Sequence, residues 1–125
     1  MRTLKTLLSL IVLAIIMSSC TYNWIVEEDE IDPTDPEAPE VSFSAEITPI
    51  FASKCIGCHD TGGQSPDLTS ANAYSSLTGS SRYVNTSEPA TSLIYTKPTG
   101  SHFATYSGSE ASLVLTWITQ GAKNN

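Results

Sequence analysis

Five consecutive residues, Cys55-Ile56-Gly57-Cys58-His59, constrain this 125-residue chain more than anything else in it. They hold two of its three cysteines and one of its two histidines. Thiols and imidazoles at this density are reactive or ligating groups, and the chain has few others. Two thiols separated by two residues suit a redox dithiol or a short structural disulfide. With His59 and the remaining His102 they also add up to the four ligands of a Cys2His2 zinc site.

Spacing separates these chemistries. Zinc would need the adjacent Cys58 and His59 to bind one ion, which is awkward in a tetrahedral site. A dithiol oxidoreductase needs a sheet scaffold, and no stretch alternates long enough to supply one. A disulfide closing so short a loop contributes little stability. The fourth chemistry uses all three residues, because C-x-x-C-H is the pattern that fastens haem covalently to a chain. Two thiols add to the two vinyl groups, and a two-residue spacer within a helical turn lets both sulfurs reach one edge of the ring. His59 then turns beneath the iron as the proximal ligand. The pentapeptide is expected by chance in roughly one in a thousand chains of this length. The reading is therefore one covalent haem c, held by Cys55, Cys58 and His59.

The rest of the chain divides into three. Residues 1–19 combine Arg2 and Lys5 with the apolar run Leu7 to Met17 and then small residues, the layout of a secretory signal peptide. The run is shorter than the ~20 apolar residues of a membrane-spanning helix. Its end, "MSSC", resembles a bacterial lipobox, which implies that Cys20 becomes the lipidated first residue of the mature chain. One acyl chain anchors weakly, at ~0.8 kcal/mol per buried methylene, but several together hold firmly. Residues 20–40 read as a disordered, acidic tether. Three prolines interrupt any helix, and eight of the thirteen acids lie between Glu27 and Glu40. Twenty such residues span ~25 Å, more when extended by charge. Trp24 is placed to rest at a lipid interface. The expected location is outside the cytoplasmic membrane, on the periplasmic side or at the cell surface.

Residues 41–125 form the folded domain. Arg2 and Lys5 leave with the signal, so four bases stand against thirteen acids and the mature chain carries a formal charge of −9. The domain itself is close to neutral, with five acids and four bases. Nothing is basic enough for nucleic acid. Phe43, Ile47, Ile50 and Phe51 make a helical stripe running into Cys55, with Thr48 expected as cap and Pro49 at the first helical position. Ser70 is expected to cap a short helix with Ala73, Tyr74 and Leu77 inward. "SEPATSLIYTK" reads as another helix starting near Pro89, and "KPTGSHFATYSGS" as loop. Ser107 and Glu110 have capping-box spacing ahead of a helix from Gly108 to Gln120. Ala111, Val114, Trp117, Ile118 and Gly121 share one face of it, and Gly121 is its left-handed end. The expected class is all-α. So small a core suggests that Phe43, Ile50, Phe51, Leu93, Trp117 and Ile118 pack against the macrocycle, leaving the haem-free chain poorly folded.

"FSAEITPIFASKCIGCH" and "EASLVLTWITQGA" together resemble a small cytochrome c domain of the kind found in bacterial lipoproteins. The resemblance covers Val41 to Asn125. It implies an all-helical fold cradling one haem between first and last helices, with the distal iron ligand in the loop before the last helix. That family often uses methionine there, but both methionines, Met1 and Met17, lie in the signal segment. The remaining imidazole is His102, in the implied loop, so His59 and His102 are expected as a bis-histidine pair. Lys97, a tyrosine or an open site are the alternatives. Two strong ligands leave the iron only electrons to exchange. The expected function is a lipid-anchored electron carrier serving redox partner proteins of a respiratory or membrane electron-transfer chain. An open sixth site would instead give a peroxidase or gas sensor, and a third possibility is an accessory module of a larger complex.

Overall fold

The computed structural model describes residues 31–125. The expectations for the signal peptide, Cys20 and Trp24 lie outside the described residues. Among the described residues there are α-helices, a π turn and a 3-10 turn, and no strand, as expected for an all-α chain. No helix among them is long and apolar enough to cross a membrane. In order these are a π turn Phe43–Ile47, α1 Thr48–Lys54, α2 Ala73–Thr78, a 3-10 turn Pro89–Thr91, α3 Leu93–Thr99 and α4 Gly108–Thr119.

The first helical segment begins earlier than its sequence signals suggest. The Ser42 hydroxyl accepts from Ala45 N–H at 3.2 Å, and the Glu46 carboxylate accepts from Ser42 N–H at 2.7 Å. This reciprocal cap starts the π turn five residues ahead of Thr48. Thr48 is therefore not a cap: α1 has no side-chain cap, and the Thr48 hydroxyl donates backward to Phe43 O at 3.0 Å. Pro49, which lacks an N–H, is the second residue of the helix and not the first as expected, still within the first turn where its missing donor costs little. Phe43, Ile47, Ile50 and Phe51 are all buried, and the helix ends at Lys54 with Cys55 as its C-cap.

Two short middle elements differ from expectation for local reasons. Asn72, not Ser70, precedes α2, because Thr69 O already accepts the N–H groups of Asn72 and Ala73 and turns the chain there. Ala73 and Leu77 are buried and Tyr74 is half-buried. The single helix expected from Pro89 is broken at Ser92, whose ψ of 131° is extended. The buried Ser92 hydroxyl accepts from Asn85 N–H at 2.9 Å, and the first amides of α3 bond outward, Leu93 to Arg82 O and Ile94 to Tyr83 O. The helix α3 then runs through Pro98 to Thr99, into what reads as loop. Pro98 has no N–H for the Ile94 carbonyl four residues back, and the Tyr106 hydroxyl takes that acceptor instead at 3.0 Å.

The last helix follows its sequence closely. Ser107 and Glu110 form the capping box, and Val114, Trp117 and Ile118 are buried. Gly121 adopts φ +97°, followed by Ala122 at φ +50°, and their amides return to Ile118 O and Trp117 O. That reversal brings Lys123 O to the Trp117 indole N–H at 2.9 Å. Phe43 lies against Trp117 (5.0 Å between ring centres), Tyr74 (5.4 Å) and Phe51 (6.4 Å), which makes an aromatic core between α1, α2 and α4. Residues 31–40, the described part of the expected tether, follow α4. Ile31 packs on the core, Ser112 donates to its carbonyl, Gln120 donates to Pro39 O, and Glu40 pairs with Lys123 at 3.2 Å.

Candidate functional site

The pentapeptide closes one turn just past α1. Cys58 N–H and His59 N–H both reach Cys55 O, at 3.1 and 3.0 Å, so the two thiols and the imidazole leave a single tight turn. Cys55 is buried and Cys58 exposed, and both are free thiols. Burial pushes the Cys55 thiol up; the Lys54 ammonium opposes this and Glu110 reinforces it.

Cys55, His59 and His102 line one cleft of ≈ 310 Å³, open on one side. This lies at the low end of the ~300–1,000 Å³ typical of ligand pockets, so a flat ligand would fill it and keep an edge in solvent. The far wall is α3, which presents Leu93, Ile94, Lys97 and Pro98, and the near wall includes Pro66 and Leu68. Of the six apolar residues expected around the macrocycle, only Leu93 lines the cleft; Phe43, Ile50, Phe51, Trp117 and Ile118 lie in the core, which reaches the cleft through Cys55, Leu68 and Ile94. The stripe that reads as a cofactor wall is instead core, with Phe43 of the π turn packed on Trp117 of α4.

The loop 60–68 holds His59. Its Nδ1 lies 3.1 Å from Gln64 O and 3.0 Å from Pro66 O. Carbonyls only accept, so Nδ1 carries the hydrogen and Nε2 keeps its lone pair. This is the backbone support that metal-ligating imidazoles use to set their tautomer. Neither carbonyl was legible beforehand, since carbonyl direction is set by the loop and not by residue type. His102 sits at the opposite side on an exposed loop, with its Nδ1 3.2 Å from Ala104 O. Ala104 N–H lies 3.3 Å from the same nitrogen and can donate to it, so these two contacts call for opposite tautomers and the backbone does not fix the His102 ring as it fixes that of His59.

The two imidazole centres lie 6.2 Å apart, with ring planes tilted by 32°. An imidazole nitrogen binds a metal at ~2.0 Å and sits about 1.1 Å from its ring centre, so one ion between two such ligands spaces the centres by about 6 Å. Among the described residues no group of three or more His, Cys, Asp or Glu side chains is placed to hold a bare ion, so a four-ligand zinc site is not assembled. A porphyrin brings its own four nitrogens and asks the protein for axial ligands alone. Two thiols in one turn, two imidazoles on one half-open cleft and a lining of mixed polarity fit that group, although Cys58, exposed, does not itself line the cleft. Lys97 and Tyr83, members of the alternative ligand classes, line the cleft as well.

The His102 loop is tied down at its far end. Lys54, the residue before Cys55, bonds both Thr105 O at 3.2 Å and the Glu110 carboxylate. Partial burial pushes the Glu110 carboxyl up, but hydrogen bonds from Lys54 and Ser107 outweigh it and leave it lowered. Tyr106 is pushed up, first by burial and then by Cys55 and Glu110 nearby. No family model matches the chain, and no curated protein or solved structure matches it.

Proposed function

We propose that this chain is a monohaem c-type cytochrome that carries electrons outside the cytoplasmic membrane, anchored there by lipid on Cys20. The observation that carries the reading is the pair of imidazoles, His59 from the C-x-x-C-H turn and His102 from the loop before α4, 6.2 Å apart across one cleft. Cys55 and Cys58 would hold the haem through thioethers, and His59 and His102 would ligate its iron. The bound haem supplies one-electron exchange at its iron. The chain does the rest. Gln64 and Pro66 orient the His59 ring and fix its tautomer, and Lys54 and Glu110 hold the segment that carries His102. The walls from Pro66 to Pro98 exclude water from one face. A cleft open at one edge suits brief encounters with redox partner proteins, and a lipid anchor confines those encounters to a membrane surface.

The test is expression in a host equipped for haem c maturation, followed by intact mass and a pyridine haemochrome assay. One haem per chain, attached through two thioethers, is expected. A colourless product with free thiols overturns the reading. Ferrous His102→Ala should then bind carbon monoxide rapidly while the unaltered protein does not. Rapid binding by the unaltered protein would favour a peroxidase or gas sensor over a carrier.

A further inference from the structure

Residues 41–125 contain four cations, and their partners divide them cleanly. Lys54 is paired with Glu110, and Lys123 with Glu40. Arg82 and Lys97 have no ion pair among the described residues, and both line the cleft that holds Cys55, His59 and His102. No Asp or Glu lines that cleft. In a domain of five acids and four bases, a cleft lined by two cations and no carboxylate carries unbalanced positive charge that favours an anion.

Backbone bonds fix where these cations stand. Leu93 N–H bonds to Arg82 O at 3.1 Å and Ile94 N–H to Tyr83 O at 3.2 Å, which fastens residue 82 to the first turn of α3. Lys97 follows Leu93 by one helical turn and so shares its face. The cleft is graded in polarity. Of its lining residues, Cys55, Pro66, Leu68, Ile94 and Pro98 are buried, whereas Arg82 and Lys97 are exposed. Buried apolar lining beside exposed cations suits a flat apolar ligand that carries carboxylates.

We propose that Arg82 and Lys97 are the carboxylate-binding pair of this cleft, taking the two propionate groups of the porphyrin and so setting which edge of it faces solvent. This rests on the haem reading above. The guanidinium offers a planar fork that matches a carboxylate, and the ammonium acts as a mobile point charge. Two cations beside the ring also disfavour the more positive ferric state, so they raise the reduction potential.

The experiment compares holoproteins: unaltered chain, Arg82→Gln, Lys97→Gln, the double variant, and the charge-preserving Arg82→Lys/Lys97→Arg. Lys123→Gln, whose side chain lies at Glu40, is the control for net charge. The readouts are haem content, midpoint potential and the propionate bending bands in resonance Raman. Each Gln variant should lower the potential and shift those bands, and the double variant should do so most. The charge-preserving pair should restore the potential, and Lys123→Gln should leave the bands in place. Should the double variant not mature, the single variants carry the same comparison. Unshifted bands and potentials in haem-loaded Gln variants overturn this proposal and leave the haem reading standing. An unaltered chain without attached haem overturns both.

Discussion

The Asp67 carboxylate accepts from Thr69 N–H (3.0 Å), the Thr69 hydroxyl (2.6 Å), the Thr61 hydroxyl (2.9 Å) and the Asn72 amide (2.9 Å). These donors, the Thr69 hydroxyl foremost, hold its carboxyl down at about 2, against an ordinary value of 3.8. A carboxyl lowered on folding stabilises the native state above its unfolded pKa, and that contribution fades as pH falls through the folded pKa. Between about pH 4 and about pH 2 the unaltered protein should therefore lose stability that Asp67→Asn never had. Urea midpoints of the two should converge across that window, and a constant gap would refute the assignment. The matter reaches the site, since Asp67 pins the loop whose Gln64 and Pro66 carbonyls hold His59. Asp67 and Thr69 are a sequence-readable Asx turn. The reach of Thr61 and Asn72 to the same carboxylate was not readable, because it depends on how the loop folds back.

Among the helices, Pro98 shows how a missing donor recruits a distant one. The Ile94 carbonyl that it leaves free is taken by the Tyr106 hydroxyl, which staples the segment after His102 to α3. Tyr106→Phe should cost about 1 kcal/mol by leaving that carbonyl without a partner. In a Pro98→Ala background the helix supplies its own donor, so the cost should shrink markedly. A double-mutant cycle by thermal or urea unfolding would read the coupling, and additive effects would exclude the staple. At the start of α4, Ser107→Ala should cost ~1 kcal/mol through loss of the capping box. By contrast Lys54→Met should cost under about 1 kcal/mol in the same melts, since the pair is a third exposed on the lysine side. The capping box and the Gly121 end were legible because they are local hydrogen-bond patterns. The break at Ser92 was not, because it is made by the Arg82 and Tyr83 carbonyls, each eleven residues before the amide it accepts from.

The large aromatics of the core stand behind the cleft and do not line it, and Cys55, Leu68 and Ile94 join the two. Phe43 packs on both Phe51 and Trp117, and Trp117 is fully buried, so Trp117→Ala should cost ~3–5 kcal/mol. That is a large part of the ~5–15 kcal/mol available to a small domain, and chemical unfolding would measure it. This arrangement also bears on how the chain should behave without the proposed haem. The sequence suggested a poorly folded haem-free chain, since the same aromatics were expected to pack on the macrocycle. With those aromatics packed around Phe43 and absent from the cleft lining, Cys55→Ser/Cys58→Ser protein should keep amide protection in α1 and α4. It should lose protection in α3 and residues 99–107, and hydrogen exchange would distinguish this from general collapse. Read alone, the amino-acid string specified the helical class, the caps of α4, the buried stripe from Phe43 to Phe51 and the five-residue motif, all of which depend on neighbours within a few positions. Folding in three dimensions settled which apolar groups form the core and which face the cleft. It also settled which carbonyls orient His59, how far His102 stands from it, and which two cations remain without acids. Those are distances between residues far apart along the chain, and periodicity carries no record of them.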